Sequence, residues 1–352
     1  MKHNKFIFGV LSLIILTTLC SCSSNSDLLR KESNSKKTCI LLHMAEMDGA
    51  NDSDDLQSRY GITGSTSSWR GYFENAVNTT DTMGLFPSGG YQIPFVVPIT
   101  PGTTATDVTV TADGWTTKKS VTYAIYLPFN FYNRDYSAIE WDLRKVPLQM
   151  DNTDHVEALK MMLVASDTCQ ATSGATGDTL KTKLYMKGSV LQIRARMTSF
   201  PQSTKYVRMM LASGYPDQFT VYGKMNLFAN NPVTTANYNS YGADQILTPI
   251  IQTDHIMVDL NHVEKDPSTN YVVGYFTVAP TDFSTRTLYL YLWDEDGNIY
   301  SGSMTRTGST IIGRHTFKNY NFTNMATFTG TLPRLNPWEE GDLCPTCNPV
   351  AF

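Results

Sequence analysis

The stretch Thr287–Met304, TLYLYLWDEDGNIYSGSM, sets Leu288, Leu290 and Leu292 on one side of an extended chain and Tyr289, Tyr291 and Trp293 on the other. Side chains alternate across a strand, so this period of two marks a β-strand. Asp296-Gly297 then supplies the turn of a hairpin. The run Asp294–Asn298, DEDGN, also has the outline of a calcium loop. Such a loop needs Glu at its twelfth position, which here is Thr305. It reads as a turn.

The same period recurs along the chain. In VLQIRARM (Val190–Met197), Leu191, Ile193, Ala195 and Met197 share one face while Gln192, Arg194 and Arg196 share the other, which predicts a half-buried strand. Tyr271–Pro280 (YVVGYFTVAP), Lys118–Asn130 (KKSVTYAIYLPFN) and Asp107–Thr117 (DVTVTADGWTT) continue the theme. Helical periods are scarce. The best helix candidate, His155–Ser166 (HVEALKMMLVAS), has a composition that also suits a strand. The fold class is therefore all-β, most simply two β-sandwiches in tandem, since about 330 residues exceed one comfortable core. Apolar patterning drops in SFPQSTK (Ser199–Lys205), which predicts a join near residue 200: one sandwich over 38–200 and the other over 201–352.

The first thirty residues carry an address. Lys2 and Lys5 precede an apolar run from Phe6 to Leu16, and small polar residues follow. This is the layout of a secretory signal, and its apolar helix would rise only about 16 Å, too little to span a bilayer. The ending LTTLCSCSS resembles a bacterial lipoprotein signal, in which a small residue precedes the lipidated cysteine. Ser21 before Cys22 fits and Leu19 before Cys20 does not. Residues 1–21 thus read as the signal peptide, Cys22 as the lipidation site, and 22–37 as a Ser-, Asn- and Lys-rich tether.

Removing Lys2 and Lys5 with the leader leaves 26 Lys and Arg against 32 Asp and Glu, without a basic run, which argues against nucleic acid as a partner. Beyond Cys22 the mature chain has Cys39, Cys169, Cys344 and Cys347. CPTC at 344–347 is half of a zinc or redox motif; it has no second half, and Pro345 and Pro349 disfavour the helix a reactive thiolate needs. The six histidines fall in no metal spacing, and no nucleophile elbow, phosphate loop or dinucleotide fingerprint occurs. Neither an enzyme nor a cofactor is indicated.

Several stretches taken in order carry a resemblance. Ser58–Trp69, Met83–Phe86 (MGLF), Thr122–Asn130 (TYAIYLPFN) and Val146–Asn152 (VPLQMDN) are followed by Lys160–Ser166 (KMMLVAS) and Gly188–Met197 (GSVLQIRARM). Tyr275–Pro280 (YFTVAP), Leu288–Tyr300 and Tyr320–Gly330 (YNFTNMATFTG) complete the series. This order, with the lipoprotein signal, resembles the fimbrillin family of Bacteroides-type bacteria, lipoprotein precursors of surface fimbriae, from about Cys22 to Trp338. The usual His of the GSVLQIRARM strand is absent here.

The resemblance implies two transthyretin-like sandwiches, delivery to the outer membrane on the lipid, and trimming there by an arginine- or lysine-specific protease. The cut would remove the tether and first strand, and another fimbrial subunit would fill the groove by donor-strand addition. On this sequence the removable strand is TCILLHMAEM (Thr38–Met47), with Ile40, Leu42 and Met44 facing inward. The polar run 48–59 is the cleavage loop, ending at Arg59. Arg59 as an ordinary surface arginine, and Arg70 as the cut, are the alternatives. The tail 331–352 is either the donated strand or, with its four prolines, a closing segment that makes this an accessory or tip subunit. The competing function is an outer-membrane surface lipoprotein that binds host or bacterial glycans through Trp69, Trp115, Trp141, Trp293 and Trp338.

Overall fold

A computed structural model describes residues 38–44, 46–47, 60–65, 68–74, 82–96, 104–105, 107–112, 117–154, 164–173, 178–228 and 247–332, apart from positions 119, 128, 134, 137, 167, 309 and 331. Every regular element among them is a strand. None of the described residues forms a helix long and apolar enough to cross a membrane. The end of the helix candidate, Val164–Ser166, is a strand between Thr122–Leu127 and Asp178–Met186. Residues 155–163 lie outside the described residues.

The larger sheet has nine strands. Its main path runs Ile93–Val96, Thr82–Pro87, Thr122–Leu127, Val164–Ser166, Asp178–Met186, Thr38–Met44, Asp107–Ala112. A fully buried run in Thr122–Leu127 (Tyr123 to Leu127) explains why its sequence is continuously apolar rather than alternating. Gly84 is required at one point: a Cβ there would stand 2.1 Å from the Tyr126 ring of the paired strand.

A six-stranded sheet holds Leu148–Gln149, His255–Glu264, Lys205–Ser213, Thr287–Asp294, Ile299–Thr305 and Ala326–Thr327. A three-stranded sheet, Tyr271–Val278, Ser189–Arg196, Phe317–Phe322, faces it. Between them lies one core of Leu191, Ile193, Met209, Leu211, Val258, Phe276, Leu290 and their neighbours. The other core is built on the nine-stranded sheet, but it also takes in Val190, Val273, Tyr275 and Phe317 from the back of the three-stranded sheet. That sheet is therefore covered on both sides. The expectation of a half-buried strand at 190–197 is corrected accordingly: Val190 and Gln192 are buried as well, with Gln192 Nε2 donating to Tyr275 Oη at 2.8 Å.

The strands do not sort at residue 200. Ser189–Arg196 pairs over its whole length with Tyr271–Val278, so the change of sheet comes at Lys187–Gly188. Ile139–Asp142 and Leu148–Gln149 also pair with later strands, Phe219–Met225 and His255–Glu264. Ser199–Lys205 links two strands of the second core, and the buried Lys265 holds its start: Nζ donates to Phe200 O within the segment and to Met197 O just before it. Low apolar content marked a surface turn, not a linker.

The outer edge of Tyr271–Val278 is closed by side chains. Gln149 Oε1 accepts from Tyr275 N and its Nε2 donates to Val273 O, while Asn152 Oδ1 accepts from Val273 N. Two amides thus complete a ladder where an open edge would invite another strand. Gln149→Ala leaves a buried amide and a buried carbonyl unpaired and is expected to destabilise by about 2–3 kcal/mol. Chemical denaturation checks the magnitude, and a loss under about 0.5 kcal/mol, the range of a neutral surface change, would refute the edge-closing role.

Candidate functional site

Thr38–Met44 occupies an interior slot of the nine-stranded sheet. It runs parallel to Asp178–Met186 and antiparallel to Asp107–Ala112, with register Ile40 opposite Leu180 and Val110, and Leu42 opposite Thr182 and Val108. Its six described side chains alternate strictly: Thr38, Ile40 and Leu42 are buried, and Cys39, Leu41 and His43 are half-buried. Ile40 is 0% and Leu42 1% exposed, packed in the core with Val108, Val110, Leu180 and Leu184. The opposite face borders exposed Thr109, Lys181 and Lys183. This division of faces is what a TCILLH sequence specifies in a sheet wetted on one side.

Polar contacts fix both ends of the strand. Thr38 Oγ1 accepts from Thr117 N at 3.2 Å, and Thr117 Oγ1 donates to Asp178 Oδ2 at 3.0 Å, which ties the start of the strand to the start of its parallel partner. At the other end His43 Nδ1 lies 2.8 Å from Asp107 Oδ1, an exposed pair that adds little to stability. Cys39 is a free thiol. The other described cysteine, Cys169, is free too, and burial pushes its thiol up to about 11, so it is not a reactive centre.

Met44 pairs with Leu184 through its backbone, while its side chain lies outside the described residues, as do Cys22 and Arg59. Tyr60–Ser65, the first strand after Arg59, pairs with Ser68–Glu74. Arg70 stands inside that second strand, opposite both Thr63 and Glu46. A bond flanked by pairing on both sides is a poor protease site, since cleavage needs an extended, accessible segment. Of the tryptophans, Trp141 is 1% exposed, and Trp293 is half-buried beside Tyr291. The side chains of Trp69, Trp115 and Trp338 lie outside the described residues.

The described histidines serve structural contacts: His43 with Asp107, His255 with Asp254, His262 with Glu295, and His315 as acceptor of Met186 N at 2.9 Å. Among the described residues no group of three or more His, Cys, Asp or Glu converges as a metal would require. The DEDGN run is a hairpin turn, with Trp293 opposite Ile299 and Gly297 at φ 84°.

No family model matches the chain, and no curated relative matches its sequence. Solved structures do resemble it. A proposed cell adhesion protein from Bacteroides ovatus is similar over 84% of this chain and 96% of its own, at 11% identity and a TM-score of 0.44. A second from Bacteroides uniformis covers 72% and 91%, at the same identity and TM-score. The tip fimbrial protein Mfa3 of Porphyromonas gingivalis covers 83% and 98%, at 11% identity and a TM-score of 0.38. These are loose superpositions.

The slot residues Val108 and Val110 were visible in the sequence as alternation in DVTVTADGWTT. Leu180 and Leu184 carry a weaker signal. Both lie in DTLKTKLYM, whose spacing of Leu180, Thr182, Leu184 and Met186 on one buried face carries the signal.

Proposed function

We propose that this protein is a structural or adhesive subunit of a bacterial surface fimbrium, built as tandem transthyretin-like sandwiches. In this reading it is exported as a lipoprotein on Cys22 and reaches the outer membrane. An arginine-specific protease trims it after Arg59, and it assembles when a neighbouring subunit's strand fills the slot of Thr38–Met44.

One observation carries the reading. The most N-terminal described strand lies between two others in the sheet, not at its edge, and it contributes Ile40 and Leu42 to the core. Here, removing the first described strand would open apolar surface and two rows of unpaired backbone groups together, and only another extended strand satisfies both. The parallel pairing with Asp178–Met186 sets the direction a replacement strand must adopt to keep the same register.

Limited trypsin digestion of the chain from Ser23 onward, followed by mass spectrometry and size-exclusion chromatography, tests this. The expected result is one early cut after Arg59 and slow growth of oligomers. A clean cut without oligomers would assign a tip or anchor position. An Arg59 bond that resists trypsin while the intact monomer persists would overturn the proposal.

A further inference from the structure

The Thr287–Thr305 hairpin continues one rung beyond its paired register. Arg306 N donates to Arg286 O at 2.8 Å, next to the pair Thr287–Thr305. Opposed residues of an antiparallel pair leave the sheet on the same side, with Cβ atoms about 5 Å apart. The Thr287 and Thr305 hydroxyls meet in this way at 3.0 Å. The next rung sets two arginines against each other, and like charges so placed repel.

Each guanidinium rests on an aromatic ring: Arg286 Cζ is 3.5 Å from the Tyr215 centroid, and Arg306 Cζ is 5.0 Å from that of Tyr320. Among the described residues neither guanidinium meets an acceptor. The Nε atoms of Arg286 and Arg306 are buried without a hydrogen-bond partner, and so is the hydroxyl of Tyr320. By contrast, Arg208 and Arg144 sit on Asp259 and Asp142 at 2.6 and 2.8 Å. The three groups border one turn: Arg286 N donates to Phe283 O at 3.0 Å, and the Phe283 ring lies 6.0 Å from that of Tyr320. Burial pushes the Tyr320 phenol up to about 12, so it keeps its proton and can donate. Tyr215 remains 45% exposed, which leaves the Arg286 side open to solvent.

Two cations and a phenol, with no acceptor among the described residues, are complemented by an oxyanion. The planar guanidinium fork matches a carboxylate through two parallel hydrogen bonds. We infer that Arg286, Arg306 and Tyr320 form a binding site for a carboxylate-bearing ligand at the open end of this hairpin. The carboxylate belongs either to an acidic sugar or to an acidic side chain of a protein. The site lies on the strands of the second core and does not depend on strand replacement at Thr38–Met44.

Isothermal titration of the chain from Ser23 onward tests it. The probes are D-glucuronate, its neutral counterpart D-glucose, an acetylated Glu-Glu amide and inorganic phosphate, at matched ionic strength. Saturable binding of glucuronate or the Glu-Glu peptide is expected, with none of glucose. Arg286→Gln and Arg306→Gln should each weaken it about tenfold or more. Arg196→Gln, an exposed arginine on Thr198, should leave it unchanged. Binding of glucuronate alone identifies a sugar source, and of the peptide alone a protein source; either supports the site. Phosphate binding without carboxylate binding, binding that survives both glutamine variants, or no saturable binding would overturn it. Should a variant fail to fold, the melting temperature of the unaltered chain decides: it must rise with a carboxylate probe and not with glucose.

Discussion

A chain beginning at Tyr60 is expected to melt well below the full-length protein and to recover its stability on adding the peptide TCILLHMAEM. Ile40 and Leu42 each contribute about 2 kcal/mol by burial alone, and truncating either costs about 2–5 kcal/mol because the slot cannot collapse around the gap. Ladder hydrogen bonds to Asp178–Met186 and Asp107–Ala112 add about 1 kcal/mol net apiece. Backbone ordering offsets part of this when the strand returns as a free peptide. The sum still favours a long-lived complex, because the slot is fixed on both sides by strands of the same sheet. A peptide carrying Leu42→Asp should not bind, since it would place an unpaired carboxylate among Val108, Leu180 and Leu184. Fluorescence anisotropy of a labelled peptide reads the affinity, and thermal scanning reads the recovery. If the shortened chain melts where the full one does, or ignores the peptide, the slot is not a strand acceptor.

How far the sequence led depended on how far apart the interacting residues stand. Local alternation was enough to recognise Leu288, Leu290 and Leu292 as one buried face, and Asp296-Gly297 as a turn, because strand and turn chemistry act within a few residues. The inward side of Ile40 and Leu42 came from the family resemblance, which supplied a removable first strand, and not from alternation. What alternation cannot carry is partnership. Nothing in TCILLHM states that its neighbours will be Leu180 and Val110, or that the chain crosses early to pair Leu148–Gln149 with His255–Glu264. Burial on the second face was hidden for a related reason. Gln192 reads as solvent-facing until Tyr275 stands opposite it and the first core covers its back. Arg286 and Arg306 were equally silent, since 20 positions separate them and only the hairpin's extra rung brings them together.

Asp294→Ala is expected to be the most damaging single substitution in the hairpin. The Asp294 side chain is 4% exposed and accepts four hydrogen bonds. Oδ1 takes Asp296 N at 3.1 Å and Asn298 N at 2.8 Å, and Oδ2 takes Asn298 Nδ2 at 3.0 Å and Tyr300 Oη at 2.7 Å. Each bond is charge-assisted, and Tyr300 is itself 7% exposed, in edge-to-face contact with Tyr206 and Phe200. Alanine would strand the Tyr300 hydroxyl and the two turn amides, at a cost of about 3–5 kcal/mol. Asp294→Asn keeps the volume but turns an amide donor towards groups that are themselves donors, so its loss should fall between alanine and the native residue. The damage should spread along the hairpin. Phe328 N donates to Ile299 O at 2.7 Å, and Ala326–Thr327 pairs with Tyr300 and Ser301. Loosening the turn therefore frees the segment that lays Phe328 against Tyr291. Hydrogen exchange should report faster opening at 287–305 and 326–328, with Thr38–Met44 unchanged. The same four donors bear on the calcium outline of DEDGN. With the carboxylate of Asp294 spent on protein donors, millimolar calcium should leave the melting temperature where it was, and a rise would show that the turn holds an ion after all.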